Sequence, residues 1–448
     1  MLSPGNARYS PFLFCHSGLY STAACVSTHG ISSSRAEQRH FPDMTMKKTK
    51  HPPATKAGAP ALEQDEILAD RLFKLALDLR ESDVYTALPD ALQKAQAELR
   101  KAIRKCLQQQ REKALDESLE RTFDEDDKAW RVLRENLDEM SGTILLRRDE
   151  GPDVEVNAFV VPLFVHTTGG LSSEQCFQDV EAFEQVRDSF KEGGLESRNA
   201  SVVLVSHAYH LDEIERIGYC QLSEMVHEAC DAMTRKKTTA ADAIAGSMRG
   251  WPPSDFTPDD SALELRFLLG FALKTINDPF YQVPQKEAAA DRYFEARAER
   301  FQKWSQQVTP LLRRCLATDG REVQIDFLYQ DLFHGGKEAA LRELEMLRVL
   351  SEVQRTLEAH GIAAEDVKAI VGPMEAEDDA VLRISLHMVA TEAAIGTVDK
   401  PLSRTETVEN AIADIADGLA TVGVRDVQIA RRFDTENAPT GVRPYSPR

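Results

Sequence analysis

The stretch from Val323 to Ile429 constrains the fold more than any other part of the sequence, because it reads as a strand–helix–strand–strand–helix–strand order with few gaps. Apolar and polar residues alternate over 323–329, which is the period of a half-buried strand. A period near that of an α-helix follows over 338–360, and Gly361 supplies a helix stop. The remaining predicted elements are strands at 367–371 and 382–388, a helix at 405–419 and a last strand at 424–429.

This order matches the ferredoxin-like βαββαβ arrangement. The predicted strands keep one polar face, which favours a sheet covered by helices on one side over a parallel sheet covered on both. We therefore predict an α+β fold, with a ferredoxin-like domain over residues 321–431.

The rest of the chain divides by composition and periodicity, and its 448 residues leave room for about two to three domains. Residues 1–61 are predicted to be disordered. Met44 and Met46 precede a lysine-rich segment that resembles the translation start of a bacterial protein. Residues 1–43 are therefore interpreted alternatively as an extension that is not translated. The other predicted units are a helical region at 62–141 with helices at 62–80, 89–123 and 126–140, a first α+β domain at 142–316 with an insertion near 211–260, and a disordered tail at 432–448. The first α+β domain is interpreted as a divergent α/β partner of the second.

Charge and cysteine usage narrow the classes of function. The chain has 54 basic and 73 acidic residues, for a net charge of -19, which disfavours nucleic acids and anionic membranes as partners. Its 7 cysteines are scattered and form no C-x-x-C pair, as in cytoplasmic proteins. No apolar run approaches the roughly 18 residues of a membrane span. The expected localisation is therefore cytoplasmic.

Two short segments place a histidine and a glycine pair between a predicted strand and a predicted helix. Their candidate ligand-binding residues are His166, Gly169 and Gly170 in the first segment, and His334, Gly335, Gly336 and Lys337 in the second. A glycine loop that opens a helix presents free backbone N–H groups to an anion, and Lys337 adds a positive charge. The alternative is a simple sharp turn, because neither the G-x-x-x-x-G-K-[ST] nor the G-x-G-x-x-G fingerprint is present.

Histidines recur near the ends of predicted strands, at His166, His207, His334 and His387. Histidine is a common general base and metal ligand near neutral pH, so converging strand ends would form a site. A solvated sheet face explains His387 equally well, because it lies on the polar side of an alternating strand. The shared site therefore stays one of two interpretations.

A third candidate lies on the helix that follows His207. Cys220, Glu224, His227 and Asp231 fall at helical offsets 0, 4, 7 and 11, so they share a face and include suitable zinc ligands. The run from His227 to Asp231 differs from H-E-x-x-H by an aspartate in place of the second histidine. A polar helix face is the alternative.

The stretch from Phe333 to Gly336, leading into Leu344–Leu347, resembles an uncharacterised family of beta-proteobacterial cytoplasmic proteins. That resemblance implies no activity and assigns no site residue or cofactor. We expect a soluble cytoplasmic protein that binds a protein partner or a small anionic ligand without catalysis. The alternative is a metal- or phosphate-dependent enzyme that uses the strand-end histidines.

Overall fold

A computed structural model describes most of the chain after residue 60. The described residues are 61–80, 90–149, 151–167, 177, 179–235, 263–284, 286–316, 323–328, 333–374, 381–403, 406–434 and 437–446. The predicted disorder of 1–60, much of the predicted insertion, and the candidates Gly169 and Gly170 lie outside them. Among the described helices, none is long and apolar enough to cross a membrane.

Helices and strands alternate after an all-helical start. The helices are α1 (Ala61–Leu79), α2 (Asp90–Gln108), α3 (Glu112–Glu125), α4 (Asp127–Gly142), α5 (Val180–Glu192), α6 (Leu211–Glu215), α7 (Tyr219–Arg235), α8 (Glu287–Cys315), α9 (Phe333–His360) and α10 (Val408–Thr421). The strands are β1 (Thr143–Leu146), β2 (Val154–Thr167), β3 (Ser201–His210), β4 (Leu263–Thr275), β5 (Val323–Phe327), β6 (Val367–Pro373), β7 (Val381–Met388), β8 (Ala394–Pro401), β9 (Asp426–Ile429), β10 (Arg432–Phe433), β11 (Pro439–Thr440) and β12 (Arg443–Pro444).

The first four helices pack on a shared apolar core, to which Leu72, Ile103, Leu115 and Leu133 contribute fully buried side chains. The prediction of one continuous helix over 89–123 is wrong, because α2 ends at Gln108 and α3 begins at Glu112. Gln110 adopts a left-handed conformation there, with φ of 54°. No glycine or proline marks this break in the sequence, so periodicity alone predicted one continuous helix.

The first sheet is antiparallel and has the order β1–β2–β4–β3. The strand β5 pairs with β2 on the same edge as β1, farther along β2. Successive side chains of β2 point to opposite faces, and both sets are buried. Val160 packs into the core formed with α7 and the start of α9, whereas Val161 packs into the core formed with α5 and α8. This sheet is therefore the middle layer of a three-layer unit.

The second sheet has the order β12–β9–β6–β7–β8, in which β6 and β9 are parallel and the other pairs are antiparallel. Val371 and Ile384 point to the face on which α9 and α10 pack. The opposite face is largely polar, and the short β10–β11 hairpin covers part of it with the buried ring of Phe433. In the described part of the chain, helices cover only one face of this sheet, as its alternating strands predict.

The mixed helix and sheet content agrees with the predicted α+β class, but the ferredoxin-like arrangement is not found in the second sheet. Its predicted first strand, β5, instead pairs with β2 of the first sheet, with Phe327 opposite Leu163. The second sheet gains the unpredicted strand β8. The two sheets also differ in strand order, which argues against the predicted duplication. The tail expected to be disordered forms β10, β11 and β12, anchored by Phe433.

One helix belongs to both sheets. The first three turns of α9 place Phe333, Ala340 and Leu344 in a core of the first sheet. Farther along the same helix, Val353 and Leu357 lie in the core of the second sheet. The start of α9 is consequently held by the first unit and its end by the second.

Candidate functional site

A group of polar side chains lies where the start of α9 meets α4 and the start of α7. We define the α9 cluster as Arg134, Asp138, Tyr219, His334 and Lys337. Tyr219 and His334 are in ring contact, and electrostatic interactions link Arg134 and Lys337 to both Asp138 and His334. The cluster combines two cationic side chains, an acid, a phenol and an imidazole.

Local structure fixes how α7 enters this cluster. The helix begins at Tyr219 because the Glu112 carboxylate, from α3, accepts hydrogen bonds from the N–H groups of Tyr219 (2.6 Å) and Cys220 (2.7 Å). These N–H groups have no acceptor within their own helix. A methyl group at Gly218 would collide with the same carboxylate. Glycine at 218 therefore permits the contact that holds Tyr219 in place.

His334 is the most enclosed member of the α9 cluster, at 8% exposure. Its ring lies 4.9 Å from the ring of Tyr219 and 5.1 Å from that of Phe333. Burial, reinforced by the charges of Lys337 and Arg134, lowers the pKa of His334 to about 3. Its Nε2 atom is buried and has no hydrogen-bond partner among the described residues. His334 is thus a neutral imidazole at pH 7 with one polar atom unsatisfied.

Asp138 is the acid of the α9 cluster. Burial raises its pKa to about 6, although Arg134 and the Tyr219 hydroxyl act in the opposite direction. The guanidinium of Arg134 lies 3.7 Å from one carboxylate oxygen of Asp138 and also pairs with Glu338. The other carboxylate oxygen, Oδ1, has no hydrogen-bond partner in the described residues. Burial also lowers the pKa of Lys337, an effect that Glu215 and Asp138 partly offset.

The predicted glycine loop is replaced by helix. Gly335 and Gly336 lie in the first turn of α9, which begins at Phe333 rather than after the glycine pair. The first four N–H groups of a helix have no acceptor inside it and carry the positive end of its dipole. The structure therefore brings His334, Gly336 and Lys337 to one helix start, with the imidazole and Gly336 buried.

The strand-end histidines do not meet in one place. Nε2 of His166 lies 3.4 Å from Asp326, and Nε2 of His207 lies 3.3 Å from Glu213. His166 lies opposite Leu263 at the start of β4, whereas His207 lies beside the middle of β4 on its other edge. His387 is on the second sheet. Each histidine has its own local partners instead of sharing a reaction centre.

The four candidate metal ligands on α7 also point to different surroundings. Cys220 is buried, and its thiol lies 3.8 Å from the carbonyl oxygen of Cys106, whereas Glu224, His227 and Asp231 are exposed. The described residues contain no group of three or more His, Cys, Asp or Glu side chains arranged to hold a metal ion. Glu224 instead lines a half-open cavity of about 330 Å³ together with Gln110, Gln221, Met225 and Glu228.

Three members of the α9 cluster, Arg134, Asp138 and Tyr219, have no distinguishing pattern in the sequence. Arg134 and Asp138 are one turn apart on α4, a spacing that usually marks an exposed ion pair on a helix surface. Tyr219 follows a glycine at a helix start and carries no recognisable motif. Only His334 and Lys337 are marked in the sequence, because they lie in a histidine–glycine segment next to a predicted helix.

The fold and the α9 cluster define a mixed α+β protein with a buried polar site at a helix start. The chain belongs to a family described as protein of unknown function (DUF2863), which it matches over residues 62–448. This agrees with the resemblance to a family of unknown activity. No curated protein and no solved structure matches the chain.

Proposed function

We propose that this is a cytoplasmic, non-catalytic binding protein that holds a small ligand with an anionic group at the α9 cluster. The observation that carries the proposal is the buried Nε2 of His334, which has no hydrogen-bond partner among the described residues. Leaving a buried polar atom unsatisfied costs about 1–3 kcal/mol, so a ligand that supplies the missing hydrogen bond gains that amount.

The surroundings of Nε2 favour an anion. The helix start contributes N–H groups and the positive end of the dipole of α9. Lys337 is half-buried, which lowers its pKa, so an adjacent anion would stabilise its charged form. The neutral imidazole can donate a hydrogen bond to the same group from Nε2. A small carboxylate and a phosphate group share this chemistry.

The cytoplasmic assignment draws on the cysteines. Cys106, Cys220, Cys230 and Cys315 are buried thiols, and none of these four forms a disulfide. Burial raises the pKa of Cys106 to about 11, which keeps the thiol protonated and unreactive. These thiols suit a reducing compartment.

A thermal-shift screen of the intact chain tests the proposal, using inorganic phosphate, phosphorylated metabolites and small carboxylates. A ligand at 100 times its Kd adds about 2.7 kcal/mol to the free energy of unfolding. Lys337→Met should abolish that gain. Arg348→Met, which removes an exposed charge from the same helix, should leave it unchanged.

Two results would refute anion binding at this place. One is the absence of stabilisation by every anion in the panel when the wild-type chain melts cooperatively. The other is an equal loss of stabilisation in Lys337→Met and Arg348→Met, because a general charge effect would then explain the binding. Direct titration calorimetry on both variants separates a lower affinity from a change in melting behaviour.

A further inference from the structure

One member of the α9 cluster, the carboxyl group of Asp138, carries the wrong charge for an anion site. The guanidinium of Arg134 lies 3.7 Å from one of its oxygens, and the charge of Lys337 acts on it as well. When Asp138 is ionised, it competes with a bound anion for these two cations and repels that anion. The proposed site therefore contains a group that opposes its own ligand unless the carboxyl group is protonated.

Oδ1 of Asp138 is one of two buried polar atoms in the α9 cluster that have no hydrogen-bond partner among the described residues, and the other is Nε2 of His334. Tyr219 contacts both side chains, through a hydrogen bond to Asp138 and through its ring to His334. An ionised carboxylate oxygen only accepts hydrogen bonds, whereas a protonated carboxyl group donates one. With a proton on Oδ1, both unsatisfied atoms can donate to a single anion.

Asp138 changes its charge close to neutral pH. The charged and titratable groups that act on it come from its own helix and from two others: Arg134 and Glu135 on α4, Tyr219 on α7 and Lys337 on α9. Burial outweighs the neighbouring cations and raises the pKa of Asp138 to about 6. His334 is neutral over this range, because burial lowers its pKa to about 3, and burial keeps the phenol of Tyr219 protonated by raising its pKa.

The α9 cluster meets solvent on the side of Asp138. The side chain of Asp138 is 23% exposed and Lys337 is half-buried, whereas His334 is enclosed. A small anion that approaches Lys337 from solvent therefore passes the carboxyl group of Asp138. The charge of that group affects both the approach of the ligand and its bound state.

We propose that the α9 cluster binds its anion together with one proton, which comes from solvent and is held on Asp138 as a hydrogen-bond donor to the ligand. This inference rests on the proposed anion site and adds the regulation of that site by pH. Where free Asp138 is ionised, binding takes up a proton, so the affinity falls as the pH rises. Each unit by which the bound anion raises the pKa of Asp138 corresponds to a factor of about ten in affinity.

The test titrates the full chain with inorganic phosphate by calorimetry at pH 5, pH 6.5 and pH 8. Asp138→Asn, which keeps the shape and a donor but removes the charge, should bind phosphate at least about tenfold more tightly than the wild type at pH 8. At pH 5 the two affinities should agree within about twofold, because Asp138 is then largely protonated. The titrations of phosphate and of Lys337 are common to both chains, so the affinity ratio isolates Asp138. Asp127→Asn removes an exposed acid from the same helix and should keep the wild-type affinity at every pH.

The outcomes separate this inference from the proposed function. If the wild type binds no phosphate at any of the three pH values, the anion site is refuted and the inference with it. If both chains bind phosphate with the same affinity ratio at all three values, the site stands and the proton coupling is overturned. Calorimetry of the wild type at pH 8 in two buffers with different heats of ionisation counts the protons, so the test does not depend on whether a variant folds. Binding without proton uptake would also overturn the coupling.

Discussion

The first sheet lies between helices on both faces, whereas the described part of the second sheet has helices on one face only. On β4, the neighbours Leu268 and Leu269 are both buried, because each points to a different helical layer. On β7, Ile384 points to the helices and Ser385 to the polar face. The α9 cluster of the first unit is enclosed at a helix start, whereas polar side chains of the second unit, such as Arg383 and His387, lie along one sheet face.

One charged pair is buried in the second unit and departs from this difference. Breaking it should lower the free energy of unfolding more than any other change considered below. Lys400 is 1% exposed, and its ammonium lies 2.8 Å and 2.9 Å from the two carboxylate oxygens of Glu406. Glu406→Gln leaves the lysine charge uncompensated, which should cost about 3–5 kcal/mol in chemical denaturation. The control Glu352→Gln breaks the exposed pair with Arg355 and should cost less than about 1 kcal/mol. Equal losses would show that Lys400 is solvated.

Truncations on consecutive residues test the layering itself. Leu268→Ala and Leu269→Ala should each lower the free energy of unfolding by about 2–5 kcal/mol, since both side chains fill a core. In the second sheet, Ile384→Ala should fall in the same range. Thr397→Ala, at an exposed position across from Ser385, should change stability by less than about 0.5 kcal/mol. A large loss at Thr397 would mean that the polar face is covered.

Acid should destabilise the first unit through His334. Its pKa is about 3 in the folded protein against an ordinary value of 6.5, so the unfolded chain binds one more proton between those values. The free energy of unfolding should therefore fall by about 1.4 kcal/mol for each pH unit below 6.5. His334→Phe keeps a ring against Tyr219 and should remove this contribution. Denaturation curves at several pH values between 7 and 4 measure it, and an identical pH dependence in the variant would contradict the buried neutral imidazole.

The opposite pH dependence should come from Glu343, farther along the same helix. Burial, with the nearby charge of Asp414, raises the pKa of Glu343 to about 7 from 4.5, so here the folded state binds the extra proton. Its contribution to stability is present at pH 4.5 and is lost as the pH rises through 7. Glu343→Gln should gain stability relative to the wild type between pH 5 and pH 8. We expect this effect to be the smallest, because the side chain is only half-buried.

Periodicity predicted most helices and strands but not the partners of the strands. The alternation over 323–329 located β5 correctly, yet nothing in it distinguishes an edge position beside β2 from a place in the second sheet. β8 was missed because its inward-facing positions include Lys400, so the strand does not alternate between apolar and polar residues. Sequence-distant pairing and buried charge are tertiary properties, and local patterns do not report them.

The candidate site was predictable only at its helix start. His334 and Lys337 were selected for their position before a helix, which is a local feature. Asp138 and Arg134 read as a solvated pair, and their burial arises because α7 and α9 converge on α4 from distant parts of the chain. The predicted zinc ligands on α7 do not form a metal site for a related reason. Residues that share a helix face can still lie in different surroundings, which the sequence pattern does not report.

The shared helix α9 has a consequence for how the chain can be divided. Cutting before β6 would separate the second sheet from the helix that carries Val353 and Leu357, and cutting before α9 would remove Phe333 and Leu344 from the first core. Either half alone would expose an apolar helix stripe to water. The two sheets should therefore unfold in a single cooperative transition, and limited proteolysis should yield no stable fragment that ends within α9. Although its two sheets are built differently, the protein should therefore unfold as one unit.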